Sequence, residues 1–259
     1  TKEYVFEACG EKLDMAQLQE IWEAKLEPVY PYRKAGPTVE KITGSLTAPA
    51  APKIGVAKPK VIIPVFPGTN CEYDTAKAFA RAGADPEILV VRNLTPADVA
   101  ESCEALVKAI DNSQIVMLPG GFSGGDEPDG SAKFIASFFR NPEVTEAVRR
   151  LLQQRDGLML GICNGFQALI KLGLAQYGDI RPITDSDPTL TFNTIGRHQS
   201  MLVRTRIAST GSPWLSKCQV GDEHTVAISH GEGRFVAPQP VLDALLKNGQ
   251  VATQYVDQS

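Results

Sequence analysis

Apolar residues recur along the chain with two periods, and the alternation between them outlines most of the architecture. Val61-Ile62-Ile63-Pro64-Val65-Phe66 is a short apolar run rich in β-branched residues, which marks a strand buried on both faces. Helical spacing through Ala76, Phe79 and Ala80 follows, then a strand over Pro86 to Val91 and a helix from Pro96. Gln114 to Leu118 predicts the next strand and Pro142 to Leu152 a further helix. Leu158 to Ile162 predicts a strand that runs into a helix over Gly165 to Leu172. Such strands, separated by helices, predict an α/β fold: a mostly parallel sheet flanked by helices on both faces. Reactive groups on a sheet of this kind gather at the carboxyl ends of its strands.

Beyond Gly173 the pattern changes. Leu190-Thr191-Phe192, Ser200 to Ile207, Thr225 to Ser229 and Val251 to Val256 read as strands with little helix between them, an expected antiparallel extension of the sheet. Residues 1–34 form a small α+β appendage. It holds a strand around Tyr4-Val5-Phe6, then a helix that Asp14 can cap and that continues through Leu18, Ile21, Trp22 and Leu26. That is too little to bury its own core. Residues 35–59 are an Ala/Pro-rich linker centred on Ala48-Pro49-Ala50-Ala51-Pro52, which leaves 60–259 as the main domain.

Composition narrows the function classes. The chain has 259 residues, 43% of them apolar and 22% charged, enough for one sizeable core. Its net charge is −4 and its basic residues are dispersed, so no footprint for nucleic acid or an anionic membrane is present, and the expected partners are small molecules or proteins. No apolar run approaches the roughly 20 residues of a membrane span, and Lys2-Glu3 begins no signal peptide; a cytoplasmic location is expected. Five cysteines (Cys9, Cys71, Cys103, Cys163 and Cys218), with no C-x-x-C pair, predict neither a disulfide framework nor a zinc site.

Two loops carry candidate chemistry. An apolar strand ends in Gly161-Ile162, then Cys163, then Asn164-Gly165 opening a helix. This is a nucleophile elbow with a thiol in the place of a hydroxyl. The helix N-terminus favours a thiolate and turns backbone N–H groups toward a developing oxyanion. The alternative is a buried structural cysteine. Leu118-Pro119-Gly120-Gly121-Phe122-Ser123-Gly124-Gly125-Asp126 also follows a strand, and its glycines allow N–H groups to face a cleft or simply make a turn.

Gly161-Ile162-Cys163-Asn164-Gly165-Phe166-Gln167 resembles the G-x-C-x-G-x-Q signature of class I, triad-type glutamine amidotransferases, and Pro119-Gly120-Gly121 resembles their oxyanion strand. Phe66-Pro67-Gly68-Thr69-Asn70-Cys71-Glu72, the loop from Gly120 to Asp126 and His230-Gly231-Glu232-Gly233-Arg234 narrow the likeness. Together they resemble the glutaminase domain of phosphoribosylformylglycinamidine synthases over about residues 60 to 235. The resemblance implies a class I glutaminase, flavodoxin-like fold and hydrolysis of glutamine through a Cys163 thioester. It implies oxyanion stabilisation by the N–H groups of Gly121 and Asn164, and a glutamine pocket shaped by Gly120 and Gln167. Ammonia would pass to a synthetase part that uses ATP and magnesium and is absent from these residues. Residues 1–34, with Trp22 and Leu26-Glu27-Pro28-Val29-Tyr30, resemble the connecting segment of single-chain forms, so the chain is expected to be the C-terminal part of a longer polypeptide. No cofactor or metal is expected within it.

The family's triad needs a His and a Glu two residues apart. His230 and Glu232 have that spacing and are the alternative base and orienter, but the resemblance places the triad pair later, past Ser259, and a fragment without it is expected to hydrolyse glutamine poorly. His198 and His224 read as surface or loop residues, and Cys71 as a loop cysteine beside the cleft. Asp126, Glu127 and Asp129 form an acidic loop that could bind a cation, but a solvated turn is the expected reading, since hard-cation sites need more convergent oxygens. A DJ-1-like thiol sensor and a catalytically silent glutaminase-like domain are the rival functions.

Overall fold

A computed structural model describes residues 4–31, 40–42, 55–125 and 132–256. At the N-terminus β1 (Val5–Ala8) and β2 (Glu11–Asp14) form an antiparallel hairpin that leads into α1 (Met15–Ala24). The Asp14 side chain accepts from Ala16 N–H at 2.8 Å and Gln17 N–H at 3.2 Å, the expected cap. The second strand was not visible in the apolar pattern, because every residue of β2 is exposed and Glu11, Lys12 and Asp14 give it no apolar face. None of α1 is buried, and Trp22 is 78% exposed.

The main unit begins with β3 (Lys60–Val65), followed by α2 (Glu72–Arg81), β4 (Asp85–Val90), α3 (Pro96–Asp111) and β5 (Ile115–Leu118). Then come α4 (Lys133–Phe139), α5 (Pro142–Arg149), β6 (Leu158–Gly161) and α6 (Asn164–Leu172). The four strands make a parallel sheet in the order β4-β3-β5-β6, the mixed α/β architecture that the alternating periods predict. The central strands β3 and β5 are almost wholly buried. Their side chains divide between two cores: Ile62, Val116 and Leu118 pack with α3 to α6, and Val61, Ile63, Ile115 and Met117 pack toward Phe79 and Trp214. Trp214 also donates its indole N–H to Met159 O at 3.2 Å. The start of α3 is fixed by a capping box in which Thr95 Oγ1 accepts from Asp98 N–H and Asp98 Oδ2 accepts from Thr95 N–H. Pro142 opens α5, but the helix ends at Arg149 and continues as a π-helical turn, Arg150–Gln154. The acidic turn of Asp126, Glu127 and Asp129 lies outside the described residues.

The last part corrects one expectation. After α7 (Leu174–Tyr177), β7 (Thr189–Thr191), β8 (Gln199–Ile207), β9 (Glu223–His230), β10 (Arg234–Val236), α8 (Gln239–Lys247) and β11 (Thr253–Val256) do not extend the parallel sheet. Instead β8 takes β9 and β11 on its two edges to make a separate antiparallel sheet, and β7 pairs with β10 alone. Strand periodicity specifies which residues share a face, not which edge a strand joins. Arg206 of β8 is 3% exposed, and its guanidinium donates to Gln254 Oε1 at 2.7 Å and Ile42 O at 3.3 Å. The Gln254 amide in turn donates to Glu40 O at 2.9 Å and accepts from Ile42 N–H at 3.1 Å. Nearer the N-terminus, Arg197 donates to Pro31 O and sits 5.4 Å from the Tyr30 ring centroid. Among the described residues no helix is long and apolar enough to cross a membrane.

Two substitutions separate core from surface. Phe139→Ala, at a fully buried side chain, is expected to lower the unfolding free energy by about 3–5 kcal/mol, whereas Trp22→Ala changes it by less than about 0.5 kcal/mol. Urea titration of the two variants checks both.

Candidate active site

At the carboxyl end of β6 the Ile162 N–H donates to Leu118 O at 3.1 Å, the chain turns through Cys163, and α6 starts at Asn164. Cys163 has φ 54° and ψ −111°, backbone that a residue with a side chain holds only when its surroundings over-determine it. Two glycines supply that constraint. A Cβ on Gly165 would lie 2.0 Å from Leu118 O, and one on Gly161 would lie 2.5 Å from Gly165 O. The helix therefore seats directly on the ends of β5 and β6. The thiol stays exposed at the helix N-terminus, where the first N–H groups have no intrahelical acceptor and the dipole favours negative charge.

The Gly-rich loop after β5 faces this thiol: a Cβ built on Gly120 would be 3.3 Å from Cys163 Cβ and 4.0 Å from its Sγ. The loop is tied to the loop after β3. Asn70 N–H donates to Gly120 O and Phe122 N–H to Gly68 O, each at 2.8 Å, on either side of a Thr69–Gly121 bridge. Gly121 has φ 131° and its N–H takes no part in these bonds. Gly121 follows Gly120 in this loop, and Asn164 follows Cys163 at the first position of α6.

Behind the elbow the side chains of Asn164 and Gln167 are 1% and 7% exposed. Ser123 N–H donates to Asn164 Oδ1 at 3.2 Å, Asn164 Nδ2 donates to Gln167 Oε1 at 3.0 Å, and Gln167 Nε2 donates to Glu232 O at 3.0 Å. Gln167 therefore lies at the base of the site with both polar atoms engaged by protein. The turn that carries Glu232 is organised by Asn193, whose Nδ2 donates to His230 O at 2.7 Å and Arg197 O at 3.1 Å. With Nδ2 so committed, Asn193 Oδ1 faces His230 Nδ1 at 3.0 Å, and that nitrogen carries the proton of a neutral ring. Neither the role of Asn193 nor that of Ser123 was visible in the sequence; a Gly-Gly-Phe-Ser loop and a lone Asn after a short strand are weak signals.

Residues 58–259 match the CobB/CobQ-like glutamine amidotransferase domain. The chain belongs to this glutamine amidotransferase family. Among similar proteins are three named phosphoribosylformylglycinamidine synthase subunit PurQ. The one from Rubrobacter xylanophilus is 33% identical over 76% of this chain and 76% of its own. That from Methanococcus maripaludis strain S2 is 34% identical over 77% and 67%, and that from Mycolicibacterium paratuberculosis is 36% identical over 76% and 74%. A solved structure titled PurLQS from Thermotoga maritima superposes with a TM-score of 0.55 at 23% identity, over 78% of this chain and 76% of that one, and shares the fold.

In this amidotransferase the hairpin and α1 lie outside the matched region. His198 is an exposed loop residue bonded to Ser229 Oγ at 2.9 Å, and His224 is exposed on β9. His230 pairs with Asn193 rather than with Glu232, and its buried Nε2 has no hydrogen-bond partner, so neither ring nitrogen is bonded to Cys163. Cys103 packs inside α3, where burial first and Glu143 second push its thiol pKa up, while Cys71 is exposed at the start of α2. Among the described residues no group of three His, Cys, Asp or Glu side chains is disposed to hold a metal ion. A cavity of about 520 Å³ opens beside Lys60, Lys108 and Ser113 at the amino ends of the strands. That is the opposite end of the sheet from Cys163, and volume there does not outweigh the chemistry at the elbow.

Burial first, and the charge of His198 second, hold the His230 pKa below the ordinary imidazole value of 6.5. The unfolded chain then binds this proton more tightly than the folded one, so the associated stability is complete above pH 6.5 and is lost as pH falls through and below it. The urea midpoint is expected to drop between about pH 7 and pH 5, and to drop less in His230→Gln. At the elbow, Gly165→Ala is expected to displace α6 and cost more than about 3 kcal/mol, read by urea titration.

Proposed function

We propose that the chain hydrolyses glutamine to glutamate and ammonia through a Cys163 thioester. The observation that carries this reading is the exposed thiol on a strained elbow with the Gly120 backbone against it. In this reading the thiolate adds to the side-chain amide carbon of glutamine, and the N–H groups of Gly121 and Asn164 hold the resulting oxyanion. The C–N bond breaks, ammonia leaves with a proton, and water cleaves the thioester to release glutamate and restore the thiol. Each oxyanion donor contributes on the order of 3 kcal/mol to such a transition state. Gly120 borders the thiol, and Gln167 shapes the pocket from beneath.

The names of the relatives support a role in making formylglycinamidine ribonucleotide from formylglycinamide ribonucleotide in purine biosynthesis, with the ammonia delivered to a synthetase part. ATP and magnesium act in that part. The exposed apolar residues of the N-terminal unit, among them Phe6, Ile21, Trp22 and Tyr30, support docking on it as a connecting segment of the same polypeptide. Because no imidazole among the described residues is bonded to Cys163, the 259-residue chain by itself is expected to turn over glutamine slowly.

A glutamine-analogue electrophile tests the reading: it is expected to label Cys163 in the native protein, glutamine to protect it, and Cys163→Ala to abolish the labelling. Oxidation of Cys163 by peroxide without analogue labelling would assign a thiol sensor instead, and reaction with neither would assign a silent domain. Rapid stoichiometric glutamate release by the isolated chain, lost in His230→Ala, would make His230 the base and overturn the slow-turnover expectation.

A further inference from the structure

Strands β8 and β11 pair so that Arg206 stands directly opposite Gln254, which puts both side chains on one face of the antiparallel sheet. Glu223, opposite Arg206 on the other side, shares that face but turns to Arg204 instead. Arg206 therefore has only neutral acceptors among the described residues, Gln254 Oε1 and Ile42 O, and its buried Nη1 has none. A buried guanidinium held in this way gains no ion pair to offset its desolvation. What the two side chains do hold is a passing stretch of main chain. Gln254 Nε2 donates to Glu40 O at 2.9 Å and Gln254 Oε1 accepts from Ile42 N–H at 3.1 Å, so one side-chain amide supplies the donor and the acceptor that a neighbouring strand would supply. Arg206 adds a donor to Ile42 O at 3.3 Å. The side chains of Glu40 and Lys41 are exposed. Further upstream the same chemistry recurs, where Arg197 donates to the main-chain carbonyl of Pro31.

We propose that Arg206 and Gln254 are a docking site for extended polypeptide, filled in this structure by residues 40–42. The site fixes where the stretch between the N-terminal unit and the domain crosses the β11-β8-β9 sheet, and so sets the point from which that unit departs. It recognises peptide units: a backbone whose carbonyl at 40 and N–H and carbonyl at 42 face the sheet fits it, whatever side chains that backbone carries. The inference does not depend on the reaction proposed for Cys163.

Trypsin reads the site directly, because the Lys41–Ile42 bond lies between the two groups that Gln254 holds while the Lys41 side chain is exposed. Cleavage there requires the segment to leave the sheet, so its rate follows the open fraction. In the full 259-residue chain this bond is expected to be cut about tenfold or more slowly than in a peptide of residues 36–46. Gln254→Met, near its parent in size, and Arg206→Met are each expected to bring the rate to within about threefold of the peptide's. The urea midpoint of Gln254→Met is expected to stay unchanged. Glu40→Gln and Ile42→Ala, each compared with the peptide of its own sequence, should keep the protection to within about threefold. Equal rates in the unsubstituted protein and its peptide would overturn the proposal, as would protection that survives in both methionine variants. Loss of protection in Glu40→Gln or Ile42→Ala would show that side chains are read, and a urea midpoint that falls together with the protection in Gln254→Met would mark a general loosening; either result overturns it too.

Discussion

The site depends on one close approach: the first turn of α6 lies against the last carbonyl of β5, with no room for a Cβ at Gly165. That contact removes the side chain which normally spaces a helix from a sheet, and everything nearby inherits its tolerance. It directs the chain through the strained backbone at Cys163, brings the Gly120 backbone against the thiol, and places Asn164 deep enough for its amide to meet the Ser123 N–H. The strain at Cys163 is sustained because the sheet on one side and the packed helix on the other leave no relaxed alternative.

How much of this was legible in the sequence follows from the range of each interaction. The elbow was legible because its requirements are local: an apolar strand, a cysteine and two glycines within five residues specify the turn. The parallel core was legible because β3 and β5, buried on both faces, read as unbroken apolar runs. The antiparallel sheets were legible as strands but not as sheets, since β8 could announce its apolar face without announcing that β9 and β11 would claim both of its edges. The helix α4 was missed although Ile135, Ala136, Phe138 and Phe139 are all buried; seven residues after a glycine loop give too short a window for a helical period.

The amide contacts behind the elbow escaped for a different reason. Gln167 meets Glu232 across 65 positions, and it does so at a carbonyl oxygen that any residue would present. Likewise His230 and Glu232 stand at triad spacing, yet the partner that orients the imidazole is Asn193, 37 positions away, which spacing alone cannot nominate. Motifs record side chains in sequence; the site is assembled largely from main-chain atoms that motifs do not name.

The grip on residues 40–42 has a consequence of the same kind. Gln254 meets Glu40 and Ile42 as a neighbouring strand would, giving one N–H and accepting another, and Arg206 adds a donor to Ile42. These hydrogen bonds reach only main-chain atoms of the passing segment and do not read its side chains. Together with Arg197 at Tyr30 and Pro31 the grip acts as a two-point tether. A tether of this kind shortens the leash on the N-terminal hairpin and helix and raises their effective concentration beside the domain, whatever surface they meet.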